Sequence, residues 1–451
     1  MTECSTRLHL SPLSKSDTKG SINRPVEVAN DGGAITSDAG VLVLREVDDR
    51  LGLTRRLADA FTDRREQAKV THPLHEAFSQ RIFQIVQGYE DCNDADYLRE
   101  DPAFKIAVGG SPFGPDLSSQ STLTRLENAA TWEDCYRLSE ALIDFYLDRH
   151  RSNPPSRIIL DIDPTDDLTH GQQQYSLFNT HYGGHCFLPI LVFAQHVEGG
   201  PQYLLAAVLR PGKSPTGRIS ATLLRWVVRR LQEAFSECKI EVRMDGGLSA
   251  PEVYGACRAL ELDFTVGLPK NSRISELAEP LLAEASALFQ QTGETVRLYG
   301  EFLYQAGTWS VSQRVIARVE VTAKGVNPRY VTTSRSDEPE DLYHFYCQRG
   351  DAENRIKELK SDLHADRLSC HRFISNQFRL ILHAAAYVLL QAVQDALAGT
   401  ELVSAQVTTL RLKLLKVGAR IRQSVRRIAV SLPSAYPYMH FWTTLATIPP
   451  T

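Results

Sequence analysis

Three apolar runs, one tight turn and then a regular alternation constrain this chain more than anything else in it. After Pro154 and Pro155 break the backbone, Arg157 to Asp163 (RIILDID) has the apolar, β-branched character of a buried strand. FLPILVFAQ from Phe187 and QYLLAAVLR from Gln202 follow, and the HVEGGP between them reads as a hairpin turn. The pattern next predicts a helix from Arg218 to Phe235, a strand (KIEVRM) that runs out at Asp245, a helix from Ser249 and a strand, DFTVGL. Three antiparallel strands followed by alternating helix and strand predict an α/β fold around one mixed sheet.

At 451 residues the chain is long enough for more than one folding unit. Residues 1–150 read as mainly helical, with a boundary at the two prolines, and residues 151–274 as the first part of the α/β core. Residues 275–335 interrupt that core with a helical piece and three strand-like runs, YGEFLYQ, SQRVIARVEVT and RYVTTS. The core resumes over 336–400, and 401–451 form a basic C-terminal region. There, Arg411 to Arg427 holds seven basic residues and no acidic one. Its simplest reading is the solvated face of an amphipathic helix, with Leu412, Leu415, Ala419 and Ile421 partly buried.

A formal charge of −4 gives no overall basic field, so net charge alone argues for no nucleic-acid partner. Eight scattered cysteines lack the short spacing of zinc sites and read as free thiols in a reducing compartment. The N-terminus has no apolar core of signal-peptide length, and the longest apolar run, from Leu380, falls short of the ~20 residues of a membrane span. The expectation is a cytoplasmic protein with no membrane partner.

The stretch YCQRGDAENRIKELKSD, from Tyr346, carries the chemistry. On a helix, at about 100° per residue, Tyr346, Arg349, Glu353 and Lys360 fall within a stripe about 60° wide. Ala352, Ile356, Leu359 and Leu363 form the adjoining apolar stripe, so the polar residues border the core. An i, i+4 salt bridge between Arg349 and Glu353 accounts for part of the pattern. The rest depends on Asp163 and Asp245, each placed where a predicted strand ends.

Two strand-end aspartates and a core-adjacent glutamate make three carboxylates that would repel one another unless a cation intervened. Hard oxygen ligands suit Mg²⁺, and a pair of such ions can activate an oxygen nucleophile for phosphoryl displacement. A glycosidase pair of carboxylates is the rival chemistry, and it leaves Arg349 and Lys360 unexplained.

With these residues in view, the chain resembles the bacterial insertion-sequence transposases with a DDE triad and a group-1 type DDE domain, in the group marked by a tyrosine-arginine-glutamate-lysine signature. Tyr346, Arg349, Glu353 and Lys360 match that signature's spacing. The resemblance covers roughly residues 25 to 395, including LDIDPTDDLTHGQQQ and RMDGGLSAPEVYGACRALELDFTVGLPKN.

The resemblance implies a ribonuclease-H-like mixed sheet with flanking helices, a β-rich insertion domain before the catalytic Glu and a helical N-terminal region for DNA-end binding. It makes Asp163, Asp245 and Glu353 the catalytic, metal-binding triad for two Mg²⁺ ions, with Mn²⁺ able to substitute. Tyr346, Arg349 and Lys360 become DNA contacts. Asp161 shares the strand parity of Asp163 and Asp166 lies close, so the first acid stays open; Asp163 is preferred because Thr165 follows it by two, as in the family.

The implied activity is cut-and-paste transposition by a homodimer on DNA, binding the terminal inverted repeats of its element and joining the freed 3′-hydroxyl to target DNA. A hairpin intermediate and association with the nucleoid go with it, and the C-terminal region becomes a DNA contact or dimer interface. A domesticated DNA-binding descendant and a nuclease without strand transfer are the alternatives. Trp309 is the candidate for stacking on a displaced base, with a core tryptophan the competing reading. RPGKSPTG lacks the first glycine of a phosphate-binding loop, where Ala207 stands, and His170, His181 and His185 have no matched zinc partner.

Overall fold

A computed structural model of the chain describes residues 8–13, 24–213 and 216–446. The segment read above for a leader falls largely outside the described residues, as does Ser214 of RPGKSPTG. An eight-stranded sheet is the frame. Its strands are β1 (Arg157–Pro164), β2 (Ile190–Gln195), β3 (Gln202–Val208), β4 (Lys239–Met244), β5 (Asp263–Leu268), β6 (Val296–Tyr304), β7 (Gln313–Thr322) and β8 (Gly325–Thr333). They lie in the order β6-β7-β8-β5-β4-β1-β2-β3. β1, β4 and β5 are mutually parallel, and every other neighbour pairs antiparallel.

The mixed sheet expected from the pattern is therefore present, and the β-rich segment of residues 275–335 is continuous with it, because β8 hydrogen-bonds to β5. One predicted strand is divided. Phe187 ends a short strand, Gly184–Phe187, that pairs with Leu177–Asn179 and Asp167–Leu168 in a small sheet, and only Ile190 onward joins the frame. Pro189 lies at the division, where a residue with no N–H cannot extend a ladder.

The helices used below are α1 (Val41–Leu51), α2 (Leu74–Gln87), α3 (Trp132–His150), α4 (Thr216–Ala234), α5 (Pro251–Ala259), α6 (Ser272–Thr292), α7 (Pro339–Cys347), α8 (Gly350–Lys357) and α9 (Phe373–Ala396). Strand alternation sorts them onto two faces. Ile158, Leu160 and Ile162 of β1 pack with Val227 and Val228 of α4 and Val253 of α5. Leu191 and Phe193 of β2 face the other way, into a cluster shared by α9 and the N-terminal helices. Phe61, Phe78 of α2 and Phe378 of α9 meet there with ring centroids 5.5–5.8 Å apart.

α9 is long and apolar enough to cross a membrane by composition, which the shorter run from Leu380 did not suggest. Its most apolar window is wholly buried inside the protein. Its polar side chains serve the sheet edge: Gln377 accepts from Leu209 N at 2.6 Å and donates to Ala207 O at 3.0 Å, and Gln391 bonds Gln202 O and Leu204 N of β3. An edge strand's unpaired backbone groups are thus covered from within.

Two further expectations change. The helix predicted to run unbroken through Tyr346 and Lys360 breaks after Cys347, where Arg349 N bonds Tyr346 O and Ala352 N bonds Arg349 O in i, i+3 fashion. Phe345 O, the partner Arg349 N would have in a continuous helix, instead accepts from Arg243 Nη1 at 3.0 Å. The helix then resumes as α8 and widens into a π-turn over Glu358–Asp362.

The basic run is no amphipathic helix either. Helical structure stops at Leu415, and a hairpin follows, β9 (Ala419–Gln423) and β10 (Ile428–Ser431), with β9 also paired to Ile35–Thr36. Ala419 and Ile421 are buried while Arg420 and Arg422 are exposed, a period of two rather than 3.6.

Candidate active site

Parallel pairing sets the first two acids side by side. Ile162 of β1 is opposite Met244 of β4, so Asp163 and Asp245 occupy neighbouring positions at one end of two adjacent strands, whose spacing is about 4.8 Å. Asp163 is nearly buried, and Pro164 ends its strand. Asp245 leaves the sheet and caps the turn Gly246–Leu248, its Oδ2 accepting from Gly247 N at 3.2 Å. Glu353 arrives from α8, in the segment that packs across the same end of β1.

One guanidinium holds the three together. Arg349 donates from Nη1 to Asp163 Oδ2 at 2.6 Å and from Nη2 to Glu353 Oε1 at 2.6 Å, and Nη2 lies 3.9 Å from Asp245 Oδ1. Burial pushes the Asp163 carboxyl up to about 7; Arg349 opposes this, while Asp245, Glu353 and Asp161 add to it. Arg349 itself is held above its ordinary range, since the attraction of Asp163, with Tyr346, Asp245 and Glu353, overcomes the opposing effect of burial. The site carries more negative charge than its one arginine neutralises.

That excess and the donor chemistry both suit a divalent cation. Asp163 Oδ1 and Glu353 Oε2 accept no protein hydrogen bond among the described residues, and the side chains of Asp245 and Glu353 are 43% and 59% exposed. Hard carboxylate oxygens are what Mg²⁺ prefers. In the conformation described, the guanidinium occupies the middle, and among the described residues no three His, Cys, Asp or Glu side chains converge closely enough to hold one ion.

Geometry places Asp161 and Asp163 in different surroundings. Asp161 is fully buried and takes two 2.8 Å hydrogen bonds from Arg243 and one of 3.0 Å from Gln202. Its lone pairs are committed to the interior, whereas Asp163, two residues on, reaches the Arg349 cluster. Asp166 is committed too: its side chain and carbonyl hold Lys360 Nζ at 3.0 and 2.6 Å.

Lys360 therefore clamps the chain just past Asp163, with Thr165 Oγ1 at 3.3 Å, beside a cleft of about 610 Å³ bordered by Asp166, Asp366 and Arg379. Tyr346, in the last turn of α7, has its hydroxyl against Gly267 and its ring 5.9 Å from the Arg349 guanidinium carbon. A Cβ at Gly267 would lie 2.5 Å from that hydroxyl, so β5 needs glycine at this contact. Burial pushes the Tyr346 phenol up to about 12. All six predicted site residues thus come together at one sheet end.

Trp309 does not join them. It is buried, packed on Tyr254 and Tyr304 at centroid distances of 5.0 and 5.3 Å, as a core residue. His181 and His185 make ring contacts with Tyr182 and Phe178 and no metal group among the described residues. Sequence reasoning missed Arg243, whose 4.9 Å stacking on Phe345 and bond to Phe345 O fix the end of α7. The signal was available: Arg243 and Asp245 share one strand face, as do Asp161 and Asp163.

Compared with known proteins, residues 19–450 match the family described as transposase DDE domain, group 1. No curated protein matches the chain.

Proposed function

We propose, from the premise that the chain belongs to the transposase DDE domain group 1 family, that it is an insertion-sequence transposase of the tyrosine-arginine-glutamate-lysine signature group, built on a ribonuclease-H-like core. The family uses divalent metals, and DNA is its partner. One observation carries the reading furthest: two adjacent strand ends and one helix deliver three carboxylates to a single cationic centre. In this reading the protein binds the terminal inverted repeats of its element, cleaves there and joins the freed end to target DNA.

Asp163, Asp245 and Glu353 would hold two Mg²⁺ ions, which supply an activated oxygen nucleophile and stabilise the leaving oxygen of an in-line displacement. Arg349 neutralises the carboxylates until then, and its planar fork suits a DNA phosphate once it is released. Lys360, braced by Asp166, fixes the backbone after Asp163 and presents a positive charge to the cleft. Tyr346 forms the wall behind Asp245.

The test uses the full-length protein, Mg²⁺ and a duplex carrying the element's end, beside Asp245→Ala and Glu353→Ala. Cleavage by the parent and at least a hundredfold loss in each variant is expected. Equal cleavage by parent and variants removes the triad from the chemistry. Nicks without joined products identify a nuclease, and DNA binding without nicks a domesticated binder.

A further inference from the structure

The seven basic residues between Arg411 and Arg427 divide into two groups. Arg411 donates to Val86 O and Asp362 O at 3.1 and 2.9 Å, Lys416 reaches Asp38 at 2.6 Å, and Lys413 lies 3.6 Å from Glu401. These three hold the C-terminal segment to the body of the protein. The side chains of Arg420, Arg422, Arg426 and Arg427 are all exposed, and among the described residues none makes a hydrogen bond, ion pair or ring contact.

The hairpin sorts its faces sharply. Ile421 and Val430 pair on one face and pack toward the core. On the other, Arg420 is opposite Ser431 on one side and Ile35 on the other, and Arg422 is opposite Ala429, so neither arginine has an acid opposite it. At the turn, Ser424 and Arg427 bond across it, and Val425, Arg426 and Arg427 stand in solvent. Four guanidiniums within eight residues repel one another, and a surface with no function would relieve that with a carboxylate. Two arginine pairs elsewhere do so: Arg64 and Arg137 share Asp134, and Arg157 and Arg335 share Glu241.

We propose that the β9–β10 hairpin, anchored at its root where Ala419 and Arg420 pair with Thr36 and Ile35, forms an arm whose four unpaired arginines lie along the phosphates of duplex DNA. A two-stranded ribbon is one of the two elements that the major groove admits, at about 12 Å width. The root of the arm is tied to the site: Arg411 holds the carbonyl of Asp362, which ends the π-turn that carries Lys360. This inference rests on the transposase reading for its DNA, and it adds a binding element that the catalytic residues do not include.

The test measures binding of a fluorescent duplex by full-length protein without divalent metal, across ~50 to ~200 mM salt. Three variants accompany the parent: all four arginines to alanine, all four to lysine, and Arg426→Ala/Arg427→Ala alone in case the first folds poorly. The alanine variant should bind at least tenfold more weakly, with a slope of log affinity on log salt shallower by about 3 to 4. The turn variant should lose about half of that slope, and the lysine variant should stay near the parent. Equal slopes for parent and alanine variants overturn the inference while leaving the transposase reading intact. So does loss of dimer mass with unchanged DNA binding, or parent binding to anionic vesicles more tightly than to duplex at equal salt. A parent that binds no duplex at low salt overturns both, whereas unimpaired cleavage by Asp245→Ala counts only against the triad.

Discussion

Replacing Arg243 with methionine tests why Asp161 belongs to the interior and Asp163 to the site. The Arg243 and Asp161 side chains are both 0% exposed and meet through two 2.8 Å hydrogen bonds. Methionine fills much of the same volume but leaves a buried carboxylate whose remaining donor is Gln202. Removing one partner of a buried pair costs about 3–5 kcal/mol, and burial already pushes the Asp161 carboxyl above its ordinary range despite Arg243. Loss of the bond to Phe345 O contributes to that cost by freeing the end of α7. Asp161→Leu/Arg243→Met removes both charges, and paired apolar replacement is often near neutral, so the double variant should recover about 2–4 kcal/mol of the loss. Urea unfolding of the four proteins of this cycle, at pH 7 in chelator, reads the coupling directly. The double variant should still gain thermal stability on adding Mg²⁺. A double variant no more stable than Arg243→Met, or one that has lost its response to Mg²⁺, refutes the interior role of Asp161.

Four further outcomes follow from the same geometry. Asp163→Asn should abolish the Mg²⁺-dependent rise in melting temperature. In chelator it should be the more stable protein above pH 7: the folded carboxyl sits at about 7 against 3.8 in a free chain, so the parent loses stability as pH rises through that window and the asparagine does not. Arg349→Met should lower stability in chelator by about 2 kcal/mol, through two charge-assisted bonds of which one is solvent-exposed, and should enlarge the Mg²⁺ response in the same melts. Gly267→Ala places a Cβ 2.5 Å from Tyr346 Oη and 2.8 Å from Gly246 N and should cost about 1–3 kcal/mol by denaturant unfolding. Asp134→Ala removes the capping box of α3 and should cost about 1–2 kcal/mol at pH 7. Burial opposes its ionisation, but bonds from Arg64 and Thr131 hold the Asp134 carboxyl well below the usual range, so that difference should fade as pH drops below about 4.

Much of the frame was legible because strand runs announce themselves by periodicity and length. The alternation from Arg157 to DFTVGL predicted β1 to β5 and their helices, and Asp245 lies at a strand end as read. The stripe of Tyr346, Arg349, Glu353 and Lys360 survives the break after Cys347 because Gln348 and Arg349 keep right-handed helical angles through it. What periodicity could not reveal was competition for backbone groups. Nothing local in YCQRGDAEN says that a guanidinium from β4 takes Phe345 O. The C-terminal run misled for a related reason: Leu412, Leu415, Ala419 and Ile421 fit helical spacing, yet pairing of Ala419 and Arg420 with Thr36 and Ile35, far away in sequence, draws the second half into a sheet.

The most consequential position is Arg349, whose i, i+4 bridge to Glu353 was read from the sequence and whose bond to Asp163 was not. The resemblance implies a DNA contact for Arg349, and in the structure it lies among the carboxylates. Both placements would answer one requirement. Three carboxylates at one sheet end need positive charge whether or not substrate is present, and a side chain that provides it from within keeps Asp163 bonded rather than unpaired and buried. In the proposed reaction the same guanidinium would become available for a phosphate once another cation takes over the carboxylates. The short break between α7 and α8 puts Arg349 at a junction closed by i, i+3 bonds, not inside a regular turn, where it can exchange partners without unwinding either helix. Metal loading and grip on the DNA backbone would then be coupled through one side chain, which is why the Mg²⁺ response of Arg349→Met bears on more than stability.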